Sequence, residues 1–586
     1  MMWLGMTAIL LGIQTAAQTE ISGRVVSAAT GEPVGGAQVT IIPIAPAPGR
    51  IGTVVGSPGP DFGLAGPVPR IAGGPPRIPQ STTPNDGRFS FPNLTPGTYR
   101  VLATANGYVQ TAYGQRSIYG SGTPLSVSAG QVLTDITIRL SPTGVVTGHI
   151  LDDLGHPAIQ APVQLTRVFY GPEGKRLQSV ASGYADDRGE YRLYGLSPGR
   201  YYLVAGNGAG PQRRPSEAVN ANVLSFGYAQ LFYPGVTDAN DAAMLEVKAG
   251  TEVIADMRVT DQHTHRIRGR IIGPAGQPEA DVNISLAYRN LNGGSGSFGL
   301  GRNYDPATGA FELQNVAPGD YILQASAQDQ RPLPPPVSAA DRQAREAALA
   351  VQARAEIPIR VADLDLDGLV VALTSGASLS GHLTIEGSLA GIPQLGAVHV
   401  NLRPMWNGFP NPAGPAPNPS GVAADGSFHI DNVRDTEYVV SVNGVPPNLY
   451  LKRAQISGQD VLGAPFILST NAVGTLAVTL GANPGQLQGT VTDAQGRPAT
   501  GSQVVLVPAQ RSRTELYKPA SPDPNGHFAM TSIAPGDYKI FSWDAIAPFS
   551  YFDPDFMKMY ESQGQIIHVD EGSSQTADLK ALPVVD

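Results

Sequence analysis

Internal repetition constrains this chain more than any other feature. A short β-like segment built around a glycine recurs five times in the 586 residues, and successive copies lie 108 to 125 residues apart. A repeat of this length is typical of tandem domains that share one plan. The repeated glycines are Gly23, Gly148, Gly269, Gly381 and Gly489.

Two turn motifs recur after the glycine. In three copies an Asp-Gly or Asn-Gly pair stands two residues before an aromatic residue, at 86–89, 425–428 and 525–528. Such pairs favour positive φ and predict tight hairpins. A Pro-Gly pair then leads into a strand through a tyrosine at 96–99, 198–201, 318–321 and 535–538, whereas copy four reads Asp435-Thr436-Glu437-Tyr438. We expect type II turns with positive φ at Gly97, Gly199, Gly319 and Gly536.

Each copy holds about seven short strands in roughly 110 residues, which is typical of a β-sandwich. Glycine and proline supply 69 and 52 residues, a composition that suits turn-rich β domains and disfavours long helices. The sequence therefore predicts an all-β fold, a tandem array of about five seven-stranded antiparallel β-sandwiches with loop insertions and two short helices. The predicted ranges are a signal peptide at 1–17 and then 18–140, 141–261, 262–374, 375–480 and 481–586, called below the first to fifth sandwich.

The N-terminus resembles an export signal. It is apolar from Trp3 to Ile13 and ends in small residues, which suits cleavage before Gln18. A buried N-terminal helix is the alternative, because the segment carries no Lys or Arg. No other stretch reaches the roughly 18 apolar residues that span a bilayer. With no cysteine in the chain, we expect an exported protein, periplasmic or extracellular, without disulfides or a membrane span.

Length varies between copies at two connections. The first lies before the Asp-Gly hairpin and includes proline-rich 43–79 and 404–419 and the Gly/Ser-rich stretch 291–304; the second follows the tyrosine strand. Two segments of the second connection are predicted to be helical. These are Ala339–Glu356, rich in Ala and Arg, and Pro554–Gln563, with Asp553 as its N-cap and Gly564 after its end.

Catalytic and metal-binding motifs are incomplete. The one His-x-x-Glu match, His568 to Glu571, lies where no distant second histidine can follow, so a zinc peptidase site is not expected. Asp363, Asp365 and Asp367 match the start of a calcium loop, but Thr374 stands where a bidentate Glu is required. Leucines alternate with these acids, which favours a half-buried strand. We therefore predict a non-enzyme with no metal and no cofactor.

Charge excludes one class of partner. The chain has 48 acidic and 39 basic residues, a net charge of -9. There is no basic surplus to neutralise a phosphate backbone, so nucleic-acid binding is not expected.

The repeated motifs resemble the carboxypeptidase regulatory-like domain, a transthyretin-like, carbohydrate-binding-like sandwich. The segments 232–238 and 553–564 are similar to those of exported multi-repeat bacterial proteins. The resemblance implies a transthyretin or immunoglobulin type of sandwich and an accessory role beside peptidases or outer-membrane receptors. It implies no activity.

Aromatic residues in the second connection are candidates for ligand binding. The first sandwich carries Tyr108, Tyr113 and Tyr119 with Arg116, and the second carries Tyr228, Phe232 and Tyr233. Aromatic faces stack on sugar rings, and guanidinium and amide groups bind hydroxyls. The alternative is that these rings fold inward as loop anchors.

Two functions therefore stay open at this point. In the first, the chain is a non-catalytic module whose loops bind a glycan or an envelope protein. In the second, it is a structural spacer or an accessory to a peptidase or outer-membrane receptor encoded elsewhere. The sequence leaves the oligomeric state open.

Overall fold

The computed structural model describes residues 19–44, 79–115, 117–120, 122–172, 174–206, 226–288, 297–298, 303–327, 353–387, 395–406, 409–410, 418–419, 421–468 and 474–583. The predicted signal peptide and Arg116 lie outside these ranges. The chain forms two compact units, which meet along the sequence between Thr143 and Gly144 and are described separately. No described helix is long and apolar enough to cross a membrane.

The first sandwich has a three-stranded and a larger sheet. Its strands are β1 (Glu20–Ser27), β2 (Gln38–Ile44), β3 (Gln80–Thr82), β4 (Arg88–Phe91), β5 (Gly97–Thr104), β6 (Thr111–Ala112), β7 (Leu125–Val127) and β8 (Val132–Leu140). One sheet has the order β4-β1-β8, and the other has the order β3-β2-β5-β6 with β7 also paired to β5. Alternate residues of β4 are buried and exposed, as expected of a strand with one face on a core.

The second sandwich repeats this plan. Its strands are β9 (Gly144–Leu151), β10 (Pro162–Gly171), β11 (Gly174–Tyr184), β12 (Glu190–Leu196), β13 (Gly199–Ala205), β14 (Phe226–Tyr228), β15 (Leu231–Phe232), β16 (Leu245–Val247), β17 (Glu252–Ile254), β18 (Met257–Arg258) and β19 (Asp261–His263). The sheets are β12-β9-β17, with β18 also on β9, and β11-β10-β13-β15, with β16 also on β13.

The third sandwich has two four-stranded sheets. Its strands are β20 (His265–Ile272), β21 (Val282–Tyr288), β22 (Ser297–Phe298), β23 (Asn303–Tyr304), β24 (Ala310–Val316), β25 (Gly319–Ala327), β26 (Arg354–Val361) and β27 (Leu366–Ala372). The orders are β23-β24-β20-β27 and β22-β21-β25-β26. The helix predicted at Ala339–Glu356 is wrong at its C-terminal end, because 354–356 pair with β25 as the start of β26. Residues 339–352 lie outside the described residues.

The fourth sandwich enlarges one of its sheets. Its strands are β28 (Ala377–Glu386), β29 (His399–Trp406), β30 (Phe409–Pro410), β31 (Asn418–Pro419), β32 (Ser427–Val433), β33 (Thr436–Asn443), β34 (Leu449–Ile456), β35 (Gln459–Asp460), β36 (Phe466–Leu468) and β37 (Leu476–Ala482). A 3-10 turn spans Leu395–Ala397. One sheet is β30-β29-β33-β36, and the other is six-stranded, β31-β32-β28-β37-β34-β35.

The fifth sandwich carries the one described α-helix. Its strands are β38 (Gly485–Thr492), β39 (Gln503–Pro508), β40 (Lys518–Ala520), β41 (His527–Ile533), β42 (Gly536–Trp543), β43 (Gln565–Val569) and β44 (Ser574–Lys580), in sheets β41-β38-β44 and β40-β39-β42-β43. Short 3-10 turns span Thr514–Leu516, Ser550–Phe552 and Glu561–Gln563. Helix α1 (Pro554–Tyr560) confirms the second predicted helix, and the Asp553 carboxylate caps it by accepting from the Asp555 amide.

One ladder in every sandwich is parallel. The first strand pairs antiparallel with the strand after the Asp-Gly turn and parallel with the last strand. The predicted tandem β-sandwich fold is therefore confirmed. The prediction that all strands pair antiparallel is wrong for the ladder between the first and last strands, which is parallel. The alternation of apolar and polar residues shows which side chains share one face of a strand, but it does not show whether the strand runs parallel or antiparallel to its neighbour.

The repeated glycine lies at the most crowded point of this ladder. It directly faces the aromatic residue after the hairpin in all five copies: Gly23 faces Phe89, Gly148 faces Tyr191, Gly269 faces Phe311, Gly381 faces Phe428 and Gly489 faces Phe528. A Cβ on Gly489 would stand 1.7 Å from the Ala577 carbonyl oxygen of the last strand. A glycine here lets the parallel strand approach the first strand.

The two predicted turn types differ in outcome. Positive φ at Gly87, Gly426 and Gly526 confirms the tight hairpins. The type II geometry is wrong, because Gly97 and Gly319 do not have positive φ. Gly199 and Gly536 have φ of 155° and 151°, far from the roughly 80° of a type II turn.

Candidate functional site

The tyrosine that follows the Pro-Gly turn has a structural role. Its hydroxyl donates to the carbonyl four residues earlier, over 2.5 to 2.8 Å, in four sandwiches: Tyr99 to Thr95, Tyr201 to Ser197, Tyr321 to Ala317 and Tyr538 to Ala534. Burial raises the pKa of Tyr538, so this hydroxyl stays protonated and keeps donating. The recurring tyrosine closes its own turn and offers nothing to a ligand.

The candidate aromatics of the first sandwich lie at different depths. Tyr108 and Tyr113 are partly buried and pack against the sandwich core. Tyr119 is 37% exposed. Gln115 is already committed, since its amide oxygen accepts from the Ala112 amide at 2.7 Å and its amide nitrogen donates to the Ser117 carbonyl. Only Tyr119 among the three tyrosines presents much of its ring to solvent.

The second sandwich turns its candidate rings inward. Tyr228 and Tyr233 pack against the main core. Phe232 is 6% exposed and belongs to a small apolar cluster with Leu177, Val204 and Ala239 on the outer face of the larger sheet. Its ring meets Tyr202 edge to face at 6.4 Å between centroids. This geometry is that of loop anchors, and a ring as buried as Phe232 has no face free to stack on a sugar.

A larger aromatic layer in the fifth sandwich was missed by the sequence reasoning. Along β39 and β42, alternate residues face the sandwich core, and the others form a second cluster that includes Val505, Phe541 and Trp543. The Phe541 and Trp543 rings stack at 5.2 Å. The connection 544–564 covers them with residues that include Tyr551, Met557 and Tyr560. The sequence signal that could have revealed this layer is the high proportion of aromatic residues in 541–560. Their side chains anchor the insertion to the outer face of the sheet.

The acidic residues of the incomplete calcium-loop match contact the first strand of the third sandwich. Asp365 accepts from the Arg266 amide, and the Asp367 carboxylate lies 3.0 Å from the Arg268 guanidinium. Asp367 lies on strand β27, as the leucine alternation indicated, but the prediction is wrong for Asp363 and Asp365, which precede the strand, and Leu364 between them is 78% exposed. Within the described ranges no group of three His, Asp or Glu side chains is placed to hold a metal ion.

His568 is part of an exposed charged cluster. Its Nδ1 lies 2.6 Å from the Asp537 carboxylate and its Nε2 lies 3.3 Å from that of Asp570. The hydrogen bond with Asp537 raises the pKa of His568, and the charge of Asp570 adds to this. The cluster joins two neighbouring strands at the surface, and Glu571 of the His-x-x-Glu match takes no part in these contacts.

The segment of copy four that replaces the Pro-Gly motif contacts the preceding sandwich. Here the Tyr438 hydroxyl accepts from the Arg434 amide at 2.9 Å, which reverses the bond seen in the other copies. The Arg434 guanidinium donates to the Thr374 carbonyl at 2.8 Å, at the end of the third sandwich, and to the Asn432 side chain. Comparing the five copies in the sequence showed that copy four lacks the Pro-Gly motif. It could not show that the residues there form a contact between two sandwiches.

Two more contacts join sandwiches within residues 144–586. The Ser532 hydroxyl of the fifth sandwich donates to the Pro447 carbonyl of the fourth at 2.8 Å. Lys175, on the β10–β11 hairpin of the second sandwich, lies 3.1 Å from Asp555 of helix α1. Both side chains of this ion pair are exposed, so it adds little to stability.

Comparison with known proteins finds similarity at the level of structure alone. No protein-family model matches the chain, and no curated protein matches it. A minor pilin of Streptococcus agalactiae is 14% identical, with 41% of this chain and 95% of that chain covered and a TM-score of 0.22. A shaft pilin of Lactobacillus rhamnosus GG is 13% identical, covering 42% and 97%, with a TM-score of 0.18. The major pilin subunit of Bacillus cereus is 9% identical, covering 74% and 99%, with a TM-score of 0.13. Similarity this low does not extend to function.

Proposed function

We propose that this chain is a non-catalytic, exported array of β-sandwiches that serves as a structural spacer or accessory protein. One observation carries the proposal: the residues that recur in every copy serve the fold of their own sandwich. The glycine admits the last strand, the facing aromatic covers it, and the tyrosine closes a turn. Residues repeated within the chain for ligand binding would instead be polar side chains that point outward.

The contacts between sandwiches support the same role. Arg434 ties the fourth sandwich to the end of the third, and Ser532 ties the fifth to the fourth. Such bonds restrict the hinges at these two junctions, between the third and fourth and between the fourth and fifth sandwiches. The resemblance to carboxypeptidase regulatory-like domains is consistent with an accessory role, and we keep that family assignment as part of the proposal.

Glycan or envelope-protein binding is the second candidate, and the exposure of Tyr119 favours it. The Tyr119 ring is 37% exposed, and exposed Gln110 lies in the same connection. An exposed aromatic face and an exposed amide are side chains of the kind that bind a sugar ring. The buried rings of the second sandwich do not add to this surface.

Two tyrosine variants of the first sandwich separate the candidates. Retention on a panel of polysaccharides and the melting temperature are measured for Tyr113→Ala and Tyr119→Ala in the full chain. The spacer proposal expects no retention for the parent, a lower melting temperature for Tyr113→Ala, and no change for Tyr119→Ala. Retention that Tyr119→Ala abolishes at unchanged melting temperature would establish glycan binding and reject the spacer as the main function.

Export has its own test. Mass spectrometry of the protein recovered from cell fractions is expected to find a mature N-terminus at Gln18 outside the cytoplasm. An intact Met1 in the cytoplasmic fraction contradicts the export part of the proposal.

A further inference from the structure

The last strand of each sandwich stands beside the first strand, and in four copies no described strand pairs with its other side. These edge strands are β8, β17 with β18, β27 and β44. In the fourth sandwich, β34 covers the equivalent strand β37 by pairing with it antiparallel, which makes a six-stranded sheet. The fold therefore accepts one more strand at this position.

Three of the four open edges are irregular. The ladder of β8 shifts register where Asp135 has φ of 62°, and that of β27 shifts where Gly368 has φ of 77°. In the second sandwich the last strand is broken into β17 and β18. Bulges and breaks of this kind prevent another strand from pairing with an edge.

The edge of β44 lacks this protection. Its ladder with β38 runs through seven residue pairs without a register shift. The covered strand β37 is likewise paired with β28 without a shift. Among the described residues, no strand pairs with the outer side of β44. The fifth sandwich thus combines the regular last strand of the fourth with an uncovered edge.

We propose that β44 is a docking edge for a second copy of this chain, whose β44 pairs with it antiparallel about a twofold axis. Two identical strands in this arrangement complement each other, as a twofold interface requires. Two three-stranded sheets would then join into one of six strands, the number that the fourth sandwich reaches alone.

Backbone direction identifies the groups that dock. The Ser573 carbonyl and the Ala581 amide both bond to β38. Because these groups alternate along a regular strand, the amides of Thr576, Asp578 and Lys580 point away from β38, toward the open side.

Charge selects the register. The turn before β44 is held to the segment between β37 and β38, since the Gly572 amide donates to the Asn483 carbonyl at 2.7 Å, so we place the docking contact on the C-terminal half of the strand. An axis at Leu579 places Asp578 opposite Lys580 of the second copy, twice. One oxygen of the Asp578 carboxylate accepts from the Thr490 amide and hydroxyl of β38, so the lysine of the second copy would meet the other oxygen. Opposite charges that face each other across strands stabilise the pair.

The interface is small, so dimerisation is expected to depend on concentration. An edge-to-edge contact of a few residues buries less than the roughly 1,200 Å² of stable complexes. Sedimentation velocity of the full mature chain over a concentration series is expected to show a reversible monomer–dimer equilibrium that weakens with added salt.

Lys580 provides a matched pair of variants. Lys580→Pro removes the outward amide donor of each copy, so the dimer loses two hydrogen bonds and is expected to dissociate at least about tenfold more readily. Lys580→Arg keeps the amide and the charge, and its equilibrium is expected to match the parent. In chains that carry the background substitution Trp406→Phe, fluorescence of Trp543 reports whether each variant keeps the fifth sandwich folded.

Hydrogen exchange of the parent chain keeps the proposal testable if Lys580→Pro does not fold. Exchange of the amides of 574–580 is expected to slow as the protein concentration rises, while that of 132–140 stays constant. Any of three results overturns the proposal. They are a parent chain that stays monomeric, a dimer that Lys580→Pro leaves intact, and an exchange rate at 574–580 that does not change with protein concentration. Capture of a different protein by a monomeric parent also overturns it.

Discussion

Gly489→Ala tests whether the repeated glycine exists to admit the last strand. The new Cβ would stand 1.7 Å from the Ala577 carbonyl oxygen and 3.0 Å from the Phe528 ring. Contacts under 3.0 Å are essentially never made by real Cβ atoms. The obstacle is backbone, so no side-chain rotation relieves it, and β44 must move away from β38.

The cost follows from the bonds that this movement breaks. Separating the two strands around Gly489 weakens two or three ladder hydrogen bonds of about 1 kcal/mol each, and crowding of the core adds about 1 kcal/mol or more. Alanine loses less backbone entropy than glycine on folding, which offsets about 0.5 to 1 kcal/mol of this destabilisation. We expect a net loss of about 3 kcal/mol, which lowers the melting temperature of a domain of this size by more than about 10 °C.

Trp543 makes the assay specific for the fifth sandwich. The chain has three tryptophans; removal of residues 1–17 and the background substitution Trp406→Phe leave Trp543, which is fully buried. Thermal unfolding followed by its fluorescence is compared between Gly489→Ala and the control Gly501→Ala, where a Cβ meets nothing within 4 Å. Equal melting temperatures for the two variants would refute the close-approach explanation.

Three further predictions address other features. Tyr538→Phe removes a buried hydroxyl that donates over 2.7 Å, and Trp543 fluorescence in urea is expected to report a loss of about 1 kcal/mol; no loss would mean that the turn closes without this bond. The raised pKa of His568 stabilises the fifth sandwich below the unfolded pKa of about 6.5, and this stabilisation is lost as pH rises through the folded pKa. Melting temperatures across pH are expected to show this decline in the parent and not in Asp537→Asn, and identical profiles contradict it. Arg434→Gln is expected to speed hydrogen exchange at 373–377, because the bond to the Thr374 carbonyl is lost; unchanged exchange there would show that the junction is held by other contacts.

Local signals in the sequence were sufficient for the repeated parts of the fold. The hairpin and the tyrosine act over contacts of a few residues, and the capped helix after Asp553 depends on its own residues. The glycine contacts strands far away in sequence, and its fivefold repetition along the chain is what made it recognisable.

Long-range pairing overrode local propensity elsewhere. Arg354, Ala355 and Glu356 look helical by composition, yet they pair with β25, because the open side of that strand supplies partners for their backbone. The inward packing of Phe232 and the bonds of Arg434 likewise depend on strands far away in sequence. Such partners leave no periodic signal near the residue itself.

The parallel ladder between first and last strands has a mechanical consequence. In each sandwich the chain enters at the start of the first strand and leaves at the end of the last one, and these points lie at opposite ends of one hydrogen-bonded pair. Tension applied along the chain therefore loads this ladder in shear, so that its hydrogen bonds share the force and must break together. The hydrogen bonds would break one after another only if the points where the chain enters and leaves the sandwich lay at the same end of this strand pair. An array built this way is expected to resist stretching at each of its sandwiches.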